Sequence, residues 1–175
     1  MAKHKKKQKT EPKRKVILYF EQLDQKFGKQ KNLIPYFILI YLFFFSVLGL
    51  IWMIPFPQFD FLVRMEMHTF FNWASILIAI MIYSYLKLAP TLSYAVLISI
   101  WVMSYFIVQL EYREAAGGMA VWMFCFILFV ISSLGLLLMA KQEREKINLN
   151  EGLLLVSIGP IWVWSKLYDR FKWKY

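Results

Sequence analysis

Four stretches of this sequence contain no charged side chain, and each is long enough to cross a lipid bilayer as a helix. A helix that rises 1.5 Å per residue needs about 20 residues to cross a hydrocarbon core of roughly 30 Å. The predicted spans are Leu33–Ile54, Thr69–Leu86, Leu88–Leu110 and Ala115–Ala140, with the second at the short end of the range. With 59% hydrophobic and only 18% charged residues, the chain has too little polar surface to coat a soluble globule. The sequence therefore predicts an all-α integral membrane protein, a bundle of four transmembrane helices.

The basic residues fall almost entirely on one side of this topology. Of the 21 Lys and Arg residues, all except Arg64 and Arg113 are assigned to the side that holds both termini. Lys and Arg accumulate in cytoplasmic segments, so we expect both termini to be cytoplasmic and the protein to lie in the cell membrane. A five-span alternative, in which the last apolar run also crosses, moves the C-terminal basic residues outward and fits this rule less well.

The N-terminal region, residues 1–31, is predicted to be a basic cytoplasmic tail followed by an amphipathic helix. The apolar residues Val16, Phe20, Leu23 and Phe27 have the spacing of one helical face. We expect this helix to lie on the membrane surface, with docking on protein as the alternative. The basic tail favours anionic lipids of the cytoplasmic leaflet. It lacks the interleaved aromatic residues that stack on bases, so nucleic acid is not the expected partner.

The C-terminal region, residues 141–175, follows the membrane domain of residues 32–140. A mixed-charge loop leads into an apolar run of residues 152–165, which contains Pro160 and is too short for a full crossing. This length suits an interfacial or re-entrant segment. The following residues Lys166, Arg170 and Lys174 share one helical face and lie among Trp and Tyr residues. They predict an amphipathic surface helix that binds lipid phosphates.

Polar groups that could perform chemistry are few. The central turns of the four spans carry no ionisable residue, which counts against a proton-coupled or metal-coupled carrier. With two His and one Cys, the chain has no zinc-type ligand set. We therefore expect no metal and no cofactor.

One candidate site is predicted at the outer ends of the second and third spans. There, His68 could act as a general base or a metal ligand, since the pKa of a histidine can be tuned near neutrality, and Glu111 or Glu114 could orient it. Arg64 and Arg113 could hold a lipid phosphate. The favoured alternative is structural, with these charged groups capping helices at the water boundary.

Small and polar residues also predict contacts between helices. In the second span, one face combines Asn72, Ser75 and Ala79, and we expect Asn72 and Ser75 to form hydrogen bonds with other helices. In the fourth span, a packing face is predicted from residues that recur every seven positions, namely Gly118, Cys125 and Ser132.

The sequence favours a non-enzymatic accessory, assembly or scaffolding subunit of a membrane complex, which contacts other subunits or its own copies. A second hypothesis is a lipid-active membrane enzyme that uses the outer polar cluster around His68. A third is a small carrier or channel formed by oligomers.

Overall fold

The fold was obtained as a computed structural model, in which residues 15–27, 34–57, 60, 64, 71–142 and 149–173 are described. Within those ranges the regular structure is entirely helical, with no β-strand. The six described helices are α1 (Lys15–Phe27), α2 (Ile34–Trp52), α3 (Trp73–Leu88), α4 (Pro90–Ala115), α5 (Val121–Gln142) and α6 (Leu149–Arg170).

Three of these helices, α2, α4 and α5, are long and apolar enough to span a membrane. The prediction of apolar membrane helices is thus confirmed for the first, third and fourth predicted spans. The second corresponds to α3, which is apolar but has only 16 residues, a length of about 24 Å. The predicted count of four spans is therefore not established by helix length.

The long helices run alternately up and down, so their ends gather at two opposite faces of the bundle. Trp73 at the start of α3 donates its indole N–H to the carbonyl of Pro55, just beyond α2, at 3.2 Å. Ala89 joins α3 to α4, and residues 116–120 join α4 to α5. We call the two faces the Ala89 end and the Gly117 end. The starts of α2 and α4 lie at the Ala89 end.

The closest packing in the bundle joins α2 to α5. Gly49 of α2 faces the thiol of Cys125, so that a Cβ atom at position 49 would overlap its Sγ atom. Further along the pair, the rings of Phe43 and Phe129 lie 5.3 Å apart. Small residues at such contacts let two helix backbones approach each other closely, which is the usual basis of helix association in membranes.

Helix α1 covers the Ala89 end of the bundle. Its predicted apolar face is buried, because Val16, Phe20 and Leu23 retain 4%, 6% and 1% of their accessible surface. Val16 also lines a small pocket of about 60 Å³ together with residues 88–92 of the α3–α4 junction. The prediction that this face lies on lipid is therefore wrong. The apolar stripe is satisfied by protein, and the docked alternative holds.

Helix α6 is one continuous helix through Pro160, and it packs against the bundle rather than lying on its surface. Ile161 and Trp162 are fully buried. Its hydrogen-bond partners Tyr85, Tyr41 and Ser99 lie about 5, 10 and 14 Å along their own helices from the Ala89 end. These partners place α6 beside the Ala89 half of the bundle. The predicted surface helix is corrected in part, because Ile161 and Trp162 are buried against neighbouring helices, whereas Phe171 and Trp173 beyond them are exposed.

The turn between α4 and α5 is a Schellman motif. The N–H of Gly118 donates to the carbonyl of Arg113, and the N–H of Gly117 donates to the carbonyl of Glu114, both at 2.9 Å. Gly117 has a φ of 89°, in the left-handed region that favours glycine. Gly118 was predicted to belong to a packing face of the fourth span, but it precedes α5 and belongs to the cap of α4.

We expect Gly117→Ala to destabilise the protein by about 1–2 kcal/mol, because an L side chain is strained at this φ. Gly152→Ala in α6 is the matched control, since a Cβ atom there meets nothing within 4 Å. SDS titration in mixed micelles measures the free energy of unfolding of both variants. We expect this free energy to be lower for Gly117→Ala than for Gly152→Ala. Equal stabilities would show that the turn does not depend on the left-handed conformation.

Candidate functional site

The candidate site of the sequence analysis is described only in part. His68 lies outside the described residues, as does Lys174 of the predicted lipid-binding set. Arg64 is exposed, and Arg113 is exposed near the end of α4. The enzymatic hypothesis for His68 therefore remains a prediction, and the described geometry concerns its proposed carboxylate partners.

Glu114 caps the next helix. Its Oε2 atom accepts a hydrogen bond of 2.9 Å from the backbone N–H of Val121, the first residue of α5. A carboxylate at this point satisfies one of the free N–H groups of a helix start and complements its partial positive charge. The carboxylate thus links the end of α4 to the start of α5. This is the helix-capping role that the sequence analysis gave as the alternative to an enzymatic role.

Glu111 lies one helical turn before Glu114 and is half-buried. Its carboxylate interacts with the side chain of Trp52, the last residue of α2. Glu111 therefore links the end of α2 to the end of α4. Both candidate carboxylates serve as connections between helix ends at the Gly117 end.

Asn72 and Ser75 form a capping box at the start of α3. The side chain of Asn72 accepts from the N–H of Ser75 at 2.8 Å, and the N–H of Asn72 donates to the Ser75 hydroxyl at 3.1 Å. The Ser75 hydroxyl donates in turn to the Asn72 carbonyl. The expected hydrogen bonds to other helices are therefore replaced by local ones. Ala79, on the same predicted face, is exposed.

Cys125 and Ser132 lie in α5 and are both completely buried. Cys125 faces Gly49 of α2. The Ser132 hydroxyl donates to the carbonyl of Leu128 in its own helix at 2.7 Å, so its polar group is satisfied without a partner helix. Cys125 thus lies at a close contact between two helices, and Ser132 is a buried position with a satisfied hydroxyl.

A polar network around Pro160 was missed by the sequence analysis. Pro160 has no N–H, so its helix forms fewer internal hydrogen bonds at this point. The hydroxyl of Tyr85 donates to the carbonyl of Ser157 at 2.6 Å, and that of Tyr41 donates to the carbonyl of Pro160 at 3.5 Å. On the following turn, Trp164 donates its indole N–H to the Ser99 hydroxyl at 3.1 Å. Three neighbouring helices therefore supply polar groups to α6.

A second polar cluster joins α1 to α6. The carboxylate of Asp24 accepts the indole N–H of Trp162 at 2.8 Å and the ammonium group of Lys166 at 2.6 Å. Lys166 was predicted to bind lipid phosphate, but in the structure it pairs with this carboxylate. Arg170, one turn later, is exposed.

The sequence did contain a sign of the Pro160 network. A proline within an otherwise helical apolar segment frees the carbonyl four residues earlier, here that of Val156. It therefore marks the region of the network, but the acceptors are the carbonyls of Ser157 and Pro160, and no tyrosine was part of the predicted site.

The described side chains offer no arrangement for metal chemistry, since no group of three or more His, Cys, Asp or Glu residues there could hold an ion. Comparison with known proteins adds no functional information. No family model, no curated protein and no solved structure matches this chain. Function must therefore be inferred from the geometry alone.

We expect Tyr85→Phe to destabilise the protein by about 1 kcal/mol, because the part-buried hydrogen bond from the Tyr85 hydroxyl to the carbonyl of Ser157 is lost. Tyr83→Phe is the matched control, since Tyr83 is 60% exposed on the same helix. The free energy of unfolding in mixed micelles is measured for Tyr85→Phe and Tyr83→Phe. If both variants were as stable as the parent protein, the hydrogen bond to α6 would contribute nothing measurable.

Proposed function

We propose that this chain is a non-enzymatic accessory, assembly or scaffolding subunit of a larger membrane complex. The observation that carries the proposal is the use of the two carboxylates that were predicted to orient His68. Glu111 and Glu114, which an enzyme would need for acid–base chemistry, are occupied by Trp52 and by the start of α5. Groups used in this way stabilise a scaffold.

The packing of the described interior supports the same proposal. The tyrosine hydroxyls and the indole groups around α6 donate to neighbouring protein groups. Side chains that consolidate a bundle in this way suit a component whose task is to present surfaces to other subunits.

The proposal includes four transmembrane spans with α3 as the second and both termini on the cytoplasmic side of the cell membrane. A helix as short as α3 can span where the bilayer thins locally. Exposed Lys87 and Lys141 lie at the Ala89 end, and Arg113 lies at the Gly117 end. We infer that the Ala89 end faces the cytoplasm, because basic residues accumulate there.

Cysteine labelling tests this orientation. A membrane-impermeant thiol reagent added to intact cells should modify Asp60→Cys and leave Lys141→Cys unmodified until the cells are opened. Both positions are exposed, so accessibility alone does not separate them. The opposite pattern would reverse the topology.

Anionic lipid is the proposed ligand of the C-terminal basic residues. Exposed Arg170 and Lys172 alternate with Phe171 and Trp173, which are 57% and 59% exposed. Cations beside aromatic rings suit the headgroup region of a membrane. Binding of the purified protein to anionic lipid in nanodiscs should weaken in Arg170→Gln, and unchanged binding would argue against this contact.

Copurification tests the proposed function itself. After extraction of the full chain from its own membranes with a mild detergent, native mass measurement should show another protein in stoichiometric amount. A chain that purifies alone would contradict the proposal. A His68→Ala variant, expressed at the level of the parent chain, tests the competing enzymatic hypothesis. Loss of cellular function in that variant, with the complex intact, would favour the enzymatic hypothesis.

A further inference from the structure

One exposed face of α4 has polar groups along the helix, including positions near its middle. Six residues of this face recur at i, i+4, i+7, i+11, i+15 and i+18. We call them the α4 stripe: Tyr94, Ile98, Trp101, Tyr105, Gln109 and Tyr112. At 100° per residue they fall within about 80° of one another. All six side chains are exposed, and Trp101 is 71% exposed.

The depth of the α4 stripe is unusual for these residue types. Trp101 and Tyr105 lie about 17 Å and 23 Å from the start of a helix about 39 Å long. If α4 is centred in a hydrocarbon core of about 30 Å, both residues lie more than about 10 Å from either boundary. Trp and Tyr prefer those boundaries, where their N–H and O–H groups meet water.

The polar groups of the α4 stripe have no hydrogen-bond partner among the described residues. The indole of Trp101, the hydroxyls of its three tyrosines and the amide of Gln109 form no hydrogen bond with any part of the chain that the structure describes. Lipid tails offer neither donors nor acceptors, so exposing these groups to lipid is unfavourable.

Helix α5 provides the comparison. From Met123 to Leu138 its exposed side chains are Met, Phe, Ile, Val and Leu, which carry no N–H or O–H group. A face without N–H or O–H groups is suited to contact with lipid hydrocarbon. Two exposed helices of one bundle thus present different chemistry to their surroundings, and only the α5 face matches lipid tails.

We propose that the α4 stripe docks a transmembrane helix of a different protein, whose facing surface supplies hydrogen-bond acceptors at mid-membrane depth. Ser, Thr, Asn or Gln side chains on that helix would accept from Trp101 and Tyr105. This inference rests on the proposed function and names the kind of partner that an accessory subunit would take.

A second copy of this chain fits the α4 stripe less well. A symmetric parallel pair would bring together two strongly basic chains, each with a formal net charge of +10. Charge therefore favours an unlike partner.

The test measures how much partner copurifies with the full chain after mild extraction. Trp101→Phe and Tyr105→Phe each remove one donor and keep an aromatic ring. We expect each to lower the ratio of partner to chain by about three- to tenfold. Trp122→Phe and Tyr83→Phe make the same chemical changes at exposed positions of α5 and α3, and should leave the ratio unchanged.

Each outcome has a distinct meaning. If a stoichiometric partner copurified in the same ratio with the α4 variants as with the parent chain, the proposed docking surface would be wrong. The proposed function would then still stand. Recovery of no partner from the parent chain would reject the proposed function instead. A stripe-dependent homodimer, or a stripe-dependent bound lipid, would overturn the assignment of an unlike transmembrane helix.

Discussion

Replacing Trp162 by alanine is expected to destabilise the protein by about 3–5 kcal/mol, the usual cost of removing a large buried aromatic side chain. Trp162 is completely buried, and its ring meets that of Phe37 edge-on at 5.7 Å between centroids. Its indole also donates to Asp24 of α1. The substitution therefore removes the contact that joins α1, α2 and α6.

Unfolding of the purified protein by SDS in mixed micelles measures this effect. Trp122→Ala is the matched control, because Trp122 is 53% exposed and should change the stability by less than about 0.5 kcal/mol. Trp162→Phe keeps most of the buried area but loses the donor to Asp24, and should fall between the two. If Trp162→Ala unfolded like its control, α6 would not be packed on the bundle as described.

Gly49→Ala is expected to destabilise the protein by about 1–3 kcal/mol, because the added methyl group overpacks the contact between α2 and α5. The atom in its way is the Sγ of Cys125. The Cβ atom of Cys125 lies at 3.5 Å, an ordinary contact distance. The clash is therefore with the thiol rather than with the helix backbone.

A double-mutant cycle isolates this contact. In a Cys125→Ala background, Gly49→Ala should lose its penalty and stabilise α2 by up to about 1 kcal/mol, the difference in helix propensity between glycine and alanine. Unfolding free energies of the four proteins in mixed micelles give the coupling. Additive effects would mean that Gly49 and Cys125 do not touch.

The long apolar helices could be predicted because their signal is local. Lipid offers the backbone no hydrogen-bond partner, so an uncharged apolar run of sufficient length must be helical there. The first predicted span, Leu33–Ile54, differs from α2 by only one or two residues at each end. The fourth was predicted to start at Ala115, whereas α5 starts at Val121, because the Schellman motif and the Glu114 cap separate it from α4.

The roles of the polar residues could not be predicted in the same way. Asn72 and Ser75 have a spacing that suits both a capping box and a face directed at another helix. The choice depends on where α3 begins, and tertiary packing sets that boundary. Likewise, a tyrosine in an apolar run gives no indication of its acceptor. Tyr85 and Ser157 are 72 residues apart in the chain.

The amino-acid order alone determined that this chain forms apolar helices of membrane length. Tertiary structure decided that the apolar stripes of α1 and α6 are covered by protein, with Trp162 at the centre of that contact. The reason is physical. A hydrophobic pattern records which surfaces avoid water, but lipid tails and neighbouring side chains are equally apolar, so only the packed fold distinguishes them.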